Sequence, residues 1–171
     1  MPSTDDLARR LQRLEHVEAI TQLKYRYWRA CDTKDPKGFR SCFIRSGARI
    51  DYGRLGGFDD AEPMARIFEK VALARIDGKF VVYDMHHGMH PEITILDDTS
   101  ARGTWSLRFR QVNTVEASET IMTGDYDDEY VVEDGVWKMS VCRFTEHWAI
   151  KRSLGDAQII PGHFSAPPLS T

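Results

Sequence analysis

A carboxylate at the end of a long helical segment is the first feature that could do chemistry. Residues 27 to 32 read Tyr-Trp-Arg-Ala-Cys-Asp, and apolar residues recur before them every three or four positions, which is helical spacing: Leu7, Leu11, Leu14, Val17, Ile20 and Leu23. Asp32 falls at or just past the helix C-terminus, where the macrodipole disfavours negative charge, so this position suits a general base better than it suits helix stability. The Asp-Thr-Lys-Asp-Pro that begins there is also typical of a turn, and a purely turn-forming Asp32 stays open.

Three of the six histidines lie between Met85 and His90. Side chains that share one face of a strand are two residues apart, and His86, His87 and His90 do not follow that period, so we predict no metal site here. If His86 lies beside Asp32, the carboxylate would orient the imidazole and hold it ready to accept a proton near neutral pH. A histidine that is only hydrogen-bonded at a strand end is the alternative.

The last predicted strand supplies two further candidates, Arg143 and His147. Both continue the phase of the apolar residues that precede them: Trp137, Met139 and Val141. A lone arginine on an apolar face is costly to bury, so Arg143 is expected either to reach a pocket or to pair with an acid of the run 125–129. His147 is expected to contact substrate in the same pocket.

Aromatic residues complete the candidate set. Tyr27 lies five residues before Asp32, so the two share a pocket only if the helix ends or loosens between them. Tyr52 ends the first predicted strand and could point inward. For each tyrosine, core packing with a bonded hydroxyl is the alternative, and for Trp105, as for the other tryptophans, a place in the core or an interface.

The elements that must position these residues are helices first and strands afterwards. We predict a long helix ending near Cys31, a short helix begun by Asp35-Pro36 and a third capped by Asp59 or Asp60. Residues 48–52, between the second and third helices, alternate like a strand. After Gly78 the pattern changes to period two and predicts strands at 80–87, 92–96, 101–115, 119–132 and 136–148.

Helices grouped before long antiparallel strands predict an α+β domain. The long strands predict a strongly twisted sheet, with Gly103 and Gly124 as bend points. A curved sheet closed by helices would enclose a cone-shaped cavity with an apolar lining, and small-molecule sites favour such concave places.

Composition limits the partners. The 171 residues predict one domain over 1–171, with a core over about 10–151 and a loop-like C-terminal tail over 152–171. A net charge of −3, from 23 basic and 26 acidic residues, predicts neither a nucleic-acid nor a membrane partner. Three cysteines without a CxxC spacing and an N-terminus without signal-peptide features predict reduced thiols and a cytoplasmic location.

Several segments, in this order, resemble the nuclear-transport-factor-2-like superfamily and its SnoaL-like dehydratase branch. They are Ile-Thr-Gln-Leu-Lys-Tyr-Arg-Tyr-Trp-Arg-Ala-Cys-Asp at 20–32, residues 86–95, Arg-Gly-Thr-Trp at 102–105, and residues 126–137 with Asp-Glu-Tyr and Asp-Gly-Val-Trp-Lys. The resemblance runs from about residue 14 to 151 and looks closest to the bile-acid 7-alpha-dehydratases. The hexachlorocyclohexane dehydrochlorinases are similar, and the scytalone dehydratases more distantly so.

The resemblance implies a conical α+β barrel, no metal or organic cofactor, and often a homotrimer; a dimer is the other homo-oligomer considered. It implies β-elimination with an Asp32–His86 base, Tyr27 as a catalytic tyrosine, Arg143 as a pocket arginine and Tyr52 as a pocket tyrosine. Trp105 stands where the scytalone dehydratases carry a second histidine, and it is expected to line the pocket.

Together these observations predict a cofactor-independent lyase of the dehydratase type, acting on a hydrophobic, polycyclic or steroid-like carbonyl compound. A ketosteroid-type isomerase or a polyketide cyclase in the same pocket is the alternative. A non-catalytic binding domain or a structural subunit like the dioxygenase β-subunits is the further alternative, because this superfamily's fold does not fix one reaction.

Overall fold

A computed structural model describes residues 2–160 of the chain. Its helices are α1 (Thr4–Asp32), α2 (Pro36–Ser41) and α3 (Ala61–Ala72), with a short 3-10 turn at Gly53–Leu55. Its strands are β1 (Arg49–Asp51), β2 (Gly57–Phe58), β3 (Arg75–Ile76), β4 (Lys79–Phe80), β5 (Val82–Ile95), β6 (Ser100–Asn113), β7 (Ser118–Glu133) and β8 (Val136–Ser153). The predicted α+β class is confirmed.

The main sheet is mixed and has six strands in the order β2-β1-β8-β7-β6-β5. Only β1 and β8 run parallel within it, and β3 and β4 form a separate hairpin. The sheet is curved and cone-like as predicted, but it does not close into a barrel, because β2 and β5 remain its two edges. The three helices, which precede the long strands in the chain, supply the cover that the apolar inner face needs.

Bulges bend the two strands that matter most for the site. In β8, Ser140 and His147 are each an extra residue against β7, and in β5 the register shifts between Met89 and Glu92. The β5 bulge explains why two predicted strands, 80–87 and 92–96, are one continuous strand. Gly124 lies at a register shift, as predicted for a bend point, whereas Gly103 lies in regular pairing.

Polar caps set where the helices begin. Ser3, Asp35 and Asp60 each accept a hydrogen bond from a backbone N–H of the first turn that follows. The buried residues of α1 start at Ile20, whereas Leu7, Leu11 and Leu14 are more than half exposed. The apolar stripe predicted for α1 is therefore a core face only in its C-terminal half, within residues 2–160.

Gly88 brings α1 close to β5 and so sets the distance between the two elements that carry Asp32 and His86. A Cβ atom at Gly88 would lie 1.9 Å from the ring of Trp28. The indole therefore packs directly on the strand backbone, a contact that only glycine permits.

A polar network lies in the core beneath the same helix. Lys24 and Asp128 are both fully buried and form an ion pair at 2.7 Å. The Lys24 ammonium also lies 3.6 Å from the centre of the Tyr126 ring. Asp128 accepts a hydrogen bond from the Tyr130 hydroxyl, which accepts one from the Trp105 indole N–H. The network ties α1 to β6 and β7.

The tail predicted over 152–171 begins slightly later than expected, because β8 continues to Ser153. Residues 161–171 lie outside the described part of the chain. No helix within residues 2–160 is both long and apolar enough to cross a membrane.

Candidate active site

Asp32 and His86 meet where the end of α1 lies against β5. The His86 Nδ1 atom is 2.6 Å from Asp32 Oδ1, and the backbone N–H of His86 also donates to the carboxylate, at 3.1 and 3.2 Å to its two oxygens. Because an ionised carboxylate can only accept, Nδ1 is the ring nitrogen that carries a proton in this contact, and in the uncharged tautomer the lone pair is then on Nε2. The geometry therefore fixes the imidazole with Nε2 directed away from the carboxylate.

A second pair beside the dyad was not predicted. Lys34 lies two residues after Asp32, and its ammonium contacts the carboxylate of Asp84, two residues before His86. The Lys34 side chain is only 5% exposed, and its backbone adopts φ 62°, which turns the chain back onto β5. The end of α1 is thus held on β5 by two pairs in parallel, Asp32 with His86 and Lys34 with Asp84.

The inner face of the sheet beside these pairs forms a cavity of about 480 Å³. Most of the surface that its walls present is apolar, although polar and apolar residues both contribute to it. The His86 ring forms part of the wall and contacts the Phe109 ring, with 4.8 Å between the ring centres. The apolar lining residues are Cys31, Phe39, Leu55, Met64, Phe68, Leu107, Phe109, Met122 and Phe144. The polar ones are Tyr27, Tyr52, Arg54, Asp84, His86, Gln111, Thr120, Tyr126 and Glu146.

Two tyrosines place hydroxyl groups in the wall of this cavity. The Tyr27 and Tyr52 hydroxyl oxygens are 2.7 Å apart, and both rings are buried. The hydrogen bond between them uses one of the two hydroxyl protons, and the Tyr126 hydroxyl and the Cys142 thiol are further hydrogen-bonding groups beside the pair. Burial, with the neighbouring Tyr126 and Cys142, raises the pKa of both phenols well above its ordinary value, so both stay protonated donors at neutral pH.

Stability is expected to fall as the pH rises above about 10, the ordinary tyrosine pKa. Burial raises the pKa of Tyr27, Tyr52, Tyr126 and Tyr130 in the folded protein, so above that pH the unfolded chain loses protons that the folded one keeps. The contribution of these tyrosines to the free energy of unfolding is therefore fully present below about pH 10, and it is lost as the pH rises towards their raised pKa values in the folded protein. Denaturant unfolding monitored by phenolate absorbance measures this, and Tyr52→Phe should flatten the decline; an unchanged slope in that variant would count against the assignment.

Three predicted site residues lie elsewhere. Arg143 is on the outer face of the sheet, where it pairs with Asp127 at 3.1 Å, which is the ion-pair alternative. His147 is half exposed and contacts Asp125 at 3.1 Å. Trp105 is buried in the core network and does not line the cavity. The interpretation of these three as pocket residues was wrong.

The cause for the two β8 residues is the bulge at Ser140. One extra residue moves every later side chain to the other face of the sheet, so the phase of Trp137 and Met139 does not extend to Arg143. Phe144 and Glu146 take the inward positions instead. His147 is itself the extra residue of the second bulge in β8.

Some of the missed residues carry a signal in the sequence. Asp84 has the period-two spacing that puts it on the His86 face of a strand, and this spacing alone could have identified it. Gln111 and Thr120 lie on other strands, and only the pairing register brings them to Asp84.

Among residues 2–160 no group of three or more His, Cys, Asp or Glu side chains is arranged to hold a metal ion.

The fold and the site define a small α+β domain with an apolar cavity, and His86, hydrogen-bonded to Asp32, lies in its wall. The sequence model of the SnoaL-like domain family matches residues 12–143, and the chain belongs to this family. The predicted superfamily is thereby confirmed, while the finer resemblance to the bile-acid 7-alpha-dehydratases stays a prediction. No protein with a curated description matches the sequence significantly.

Solved structures share the fold at low sequence identity. A candidate scytalone dehydratase from Novosphingobium aromaticivorans is 20% identical, with a TM-score of 0.72, over 86% of this chain and 98% of its own. A type 2 hexachlorocyclohexane dehydrochlorinase is 18% identical, with a TM-score of 0.75, over 89% and 98%. A type 3 enzyme of that name from Novosphingobium barchaimii is 18% identical, with a TM-score of 0.72, over 88% and 98%. At these identities the likeness shows the fold.

Proposed function

We propose that this protein is a lyase that catalyses β-elimination on a hydrophobic carbonyl compound, using only acid–base groups of its own chain. The observation that carries the proposal is the 2.6 Å contact between Asp32 and His86, with the imidazole in the wall of an apolar cavity. A dyad of this kind needs a substrate with an acidic C–H bond, and the lining selects a hydrocarbon body. Membership of the SnoaL-like family supports the same class.

The reaction follows from the positions of the groups. His86 Nε2 takes a proton from the carbon next to the carbonyl, and Asp32 stabilises the imidazolium that forms. The electrons of that C–H bond form a C=C bond as the bond to the leaving group breaks. In the enolate-like state between these two events, the hydroxyl pair of Tyr27 and Tyr52 donates to the developing oxyanion. A leaving hydroxide takes the proton that His86 Nε2 has just acquired and departs as water, whereas a leaving halide departs as the anion and that proton passes to solvent; either way the neutral imidazole is restored.

The solved structures with this fold include proteins named for the two kinds of leaving group. A dehydratase expels water and a dehydrochlorinase expels chloride. The cavity suits either, because both reactions begin with loss of a proton from carbon. A homo-oligomer and a cytoplasmic location stay predictions.

The test is product analysis with a panel of polycyclic ketones that carry a hydroxyl or a halogen at the β position. Incubation with the purified protein should give the unsaturated ketone, detected by mass spectrometry as loss of water or hydrogen halide. The matched ketones without a leaving group should be returned unchanged in mass. A product of unchanged mass with a shifted double bond would replace the lyase with an isomerase. Binding of the panel without turnover would contradict both activities.

A further inference from the structure

The cavity has a polar row next to the dyad, and it crosses three strands. Asp84 pairs with Gln111 across β5 and β6, and Gln111 pairs with Thr120 across β6 and β7. All three side chains line the cavity. The next row along the sheet consists of His86, Phe109 and Met122, which pair in the same way. The polar row therefore runs parallel to the row that holds the proposed base.

Asp84 is not free to act as a second base. Its Oδ2 atom contacts the Lys34 ammonium, and its Oδ1 atom accepts a hydrogen bond from Gln111 Nε2 at 2.9 Å. Lys34 neutralises the carboxylate, and the carboxylate in turn fixes which end of the Gln111 amide faces it. The Lys34–Asp84 pair therefore fixes the orientation of the Gln111 amide.

The oriented amide has capacity left for a bound molecule. One N–H of Gln111 is used by Asp84, which leaves the second N–H and the carbonyl oxygen. Among the hydrogen bonds within residues 2–160, Gln111 uses its Nε2 towards Asp84 and not its carbonyl oxygen, and the Thr120 hydroxyl, which lines the cavity, makes none. A row of fixed but unused donors and acceptors in an apolar wall is the arrangement that gives a ligand site its specificity.

We propose that Asp84, Gln111 and Thr120 form a subsite that binds a hydroxyl or carbonyl oxygen of the substrate, at a distance from the carbon on which His86 acts. The two rows are two residues apart on each strand, which corresponds to about 7 Å. The substrate is then a hydrophobic molecule with two oxygen functions: one at the reacting end and one held by Gln111 and Thr120. The inference rests on the proposed function for the reacting end only.

The experiment uses two fluorescent probes of nearly equal shape, 2-naphthol and 2-methylnaphthalene, whose dissociation constants are measured by titration. Gln111→Leu is expected to reduce the preference for 2-naphthol by about tenfold, the loss that follows from one hydrogen bond in an apolar wall, while binding of 2-methylnaphthalene changes little. Retained 2-methylnaphthalene binding also shows that the variant is folded. Gln12→Leu, the same change on the exposed part of α1, is the matched control and should alter neither constant.

Thr120→Val provides a second variant and should reduce the same preference. Unchanged discrimination between the two probes in both cavity variants would overturn the subsite and leave the lyase proposal intact. If the wild-type protein binds neither probe, the apolar cavity fails as a ligand site, and both proposals fall. A loss of binding for both probes in Gln111→Leu, with normal discrimination in Thr120→Val, would also reject the subsite.

Discussion

Replacing His86 by glutamine is expected to lower the rate of elimination by about 10² to 10⁴-fold, the range that general acid–base catalysis contributes. Glutamine retains a polar side chain, so it can still lie beside Asp32, but it has no basic nitrogen to accept the substrate proton. Substrate binding should change much less than turnover, because the apolar lining is untouched. Steady-state kinetics with a substrate from the panel would separate the two effects.

The neighbouring histidine provides the matched control. His87 is exposed and occupies the other face of β5, so His87→Gln makes the same chemical change one residue away from the site. It should leave turnover within about twofold, the margin expected for a surface substitution. Asp32→Asn should lower turnover as His86→Gln does. The uncharged amide oxygen of asparagine is a weaker acceptor for the hydrogen bond from His86 Nδ1–H, so it no longer holds the imidazole in its orientation and tautomer. A His86→Gln variant as active as the His87→Gln variant would refute the mechanism.

The largest effect on stability is expected at Lys24. Lys24→Met should lower the free energy of unfolding by about 3–5 kcal/mol, because it leaves the Asp128 carboxylate buried without its counter-ion. Asp128 Oδ1 has no hydrogen-bond partner in the described part of the chain, and the Tyr130 hydroxyl on Oδ2 is an uncharged donor that cannot replace the ammonium. Denaturant unfolding at neutral pH measures the loss.

A double-mutant cycle identifies the cause of that loss. Lys24→Met with Asp128→Asn removes both charges, and asparagine can still accept from the Tyr130 hydroxyl. The double variant should be more stable than Lys24→Met alone. Lys70→Met, at an exposed position of α3, controls for the substitution itself. Strictly additive losses in the cycle would contradict the account of a coupled buried pair.

The local patterns of the sequence were sufficient for the helices and the long strands, and they marked Asp32 and His86 as candidates, but only the resemblance paired the two as a dyad. Helical spacing up to Leu23, the caps at Asp35 and Asp60, and the change to period two all depend on neighbouring residues, and the structure agrees with each. Asp32 could be placed opposite a strand histidine because a helix end and a strand face are both readable from such patterns. The resemblance to the SnoaL-like branch selected His86 among the three histidines.

Features that depend on pairing between distant strands could not be obtained in the same way. A single extra residue at Ser140 sends Arg143 to the outer face, and nothing in the local alternation marks where that residue lies. Lys34 contacts Asp84 only because the chain adopts a positive φ after the helix, in a turn whose residues would permit several conformations. Gln111 and Thr120 join them only through the register of β5, β6 and β7.

The central claim is that Asp32 holds His86 as a base, and the tautomer of His86 tests it most directly, without a substrate. Nitrogen-15 NMR of histidine-labelled protein, with the signal assigned through the His86→Gln variant, reports which ring nitrogen carries the proton. The spectrum is recorded at a pH high enough for the ring to be uncharged, and there the geometry predicts the proton on Nδ1, hydrogen-bonded to Asp32, with a bare Nε2 and a changed spectrum in Asp32→Asn. An uncharged ring with its proton on Nε2, or a spectrum that Asp32→Asn leaves unchanged, would contradict the dyad and the mechanism built on it.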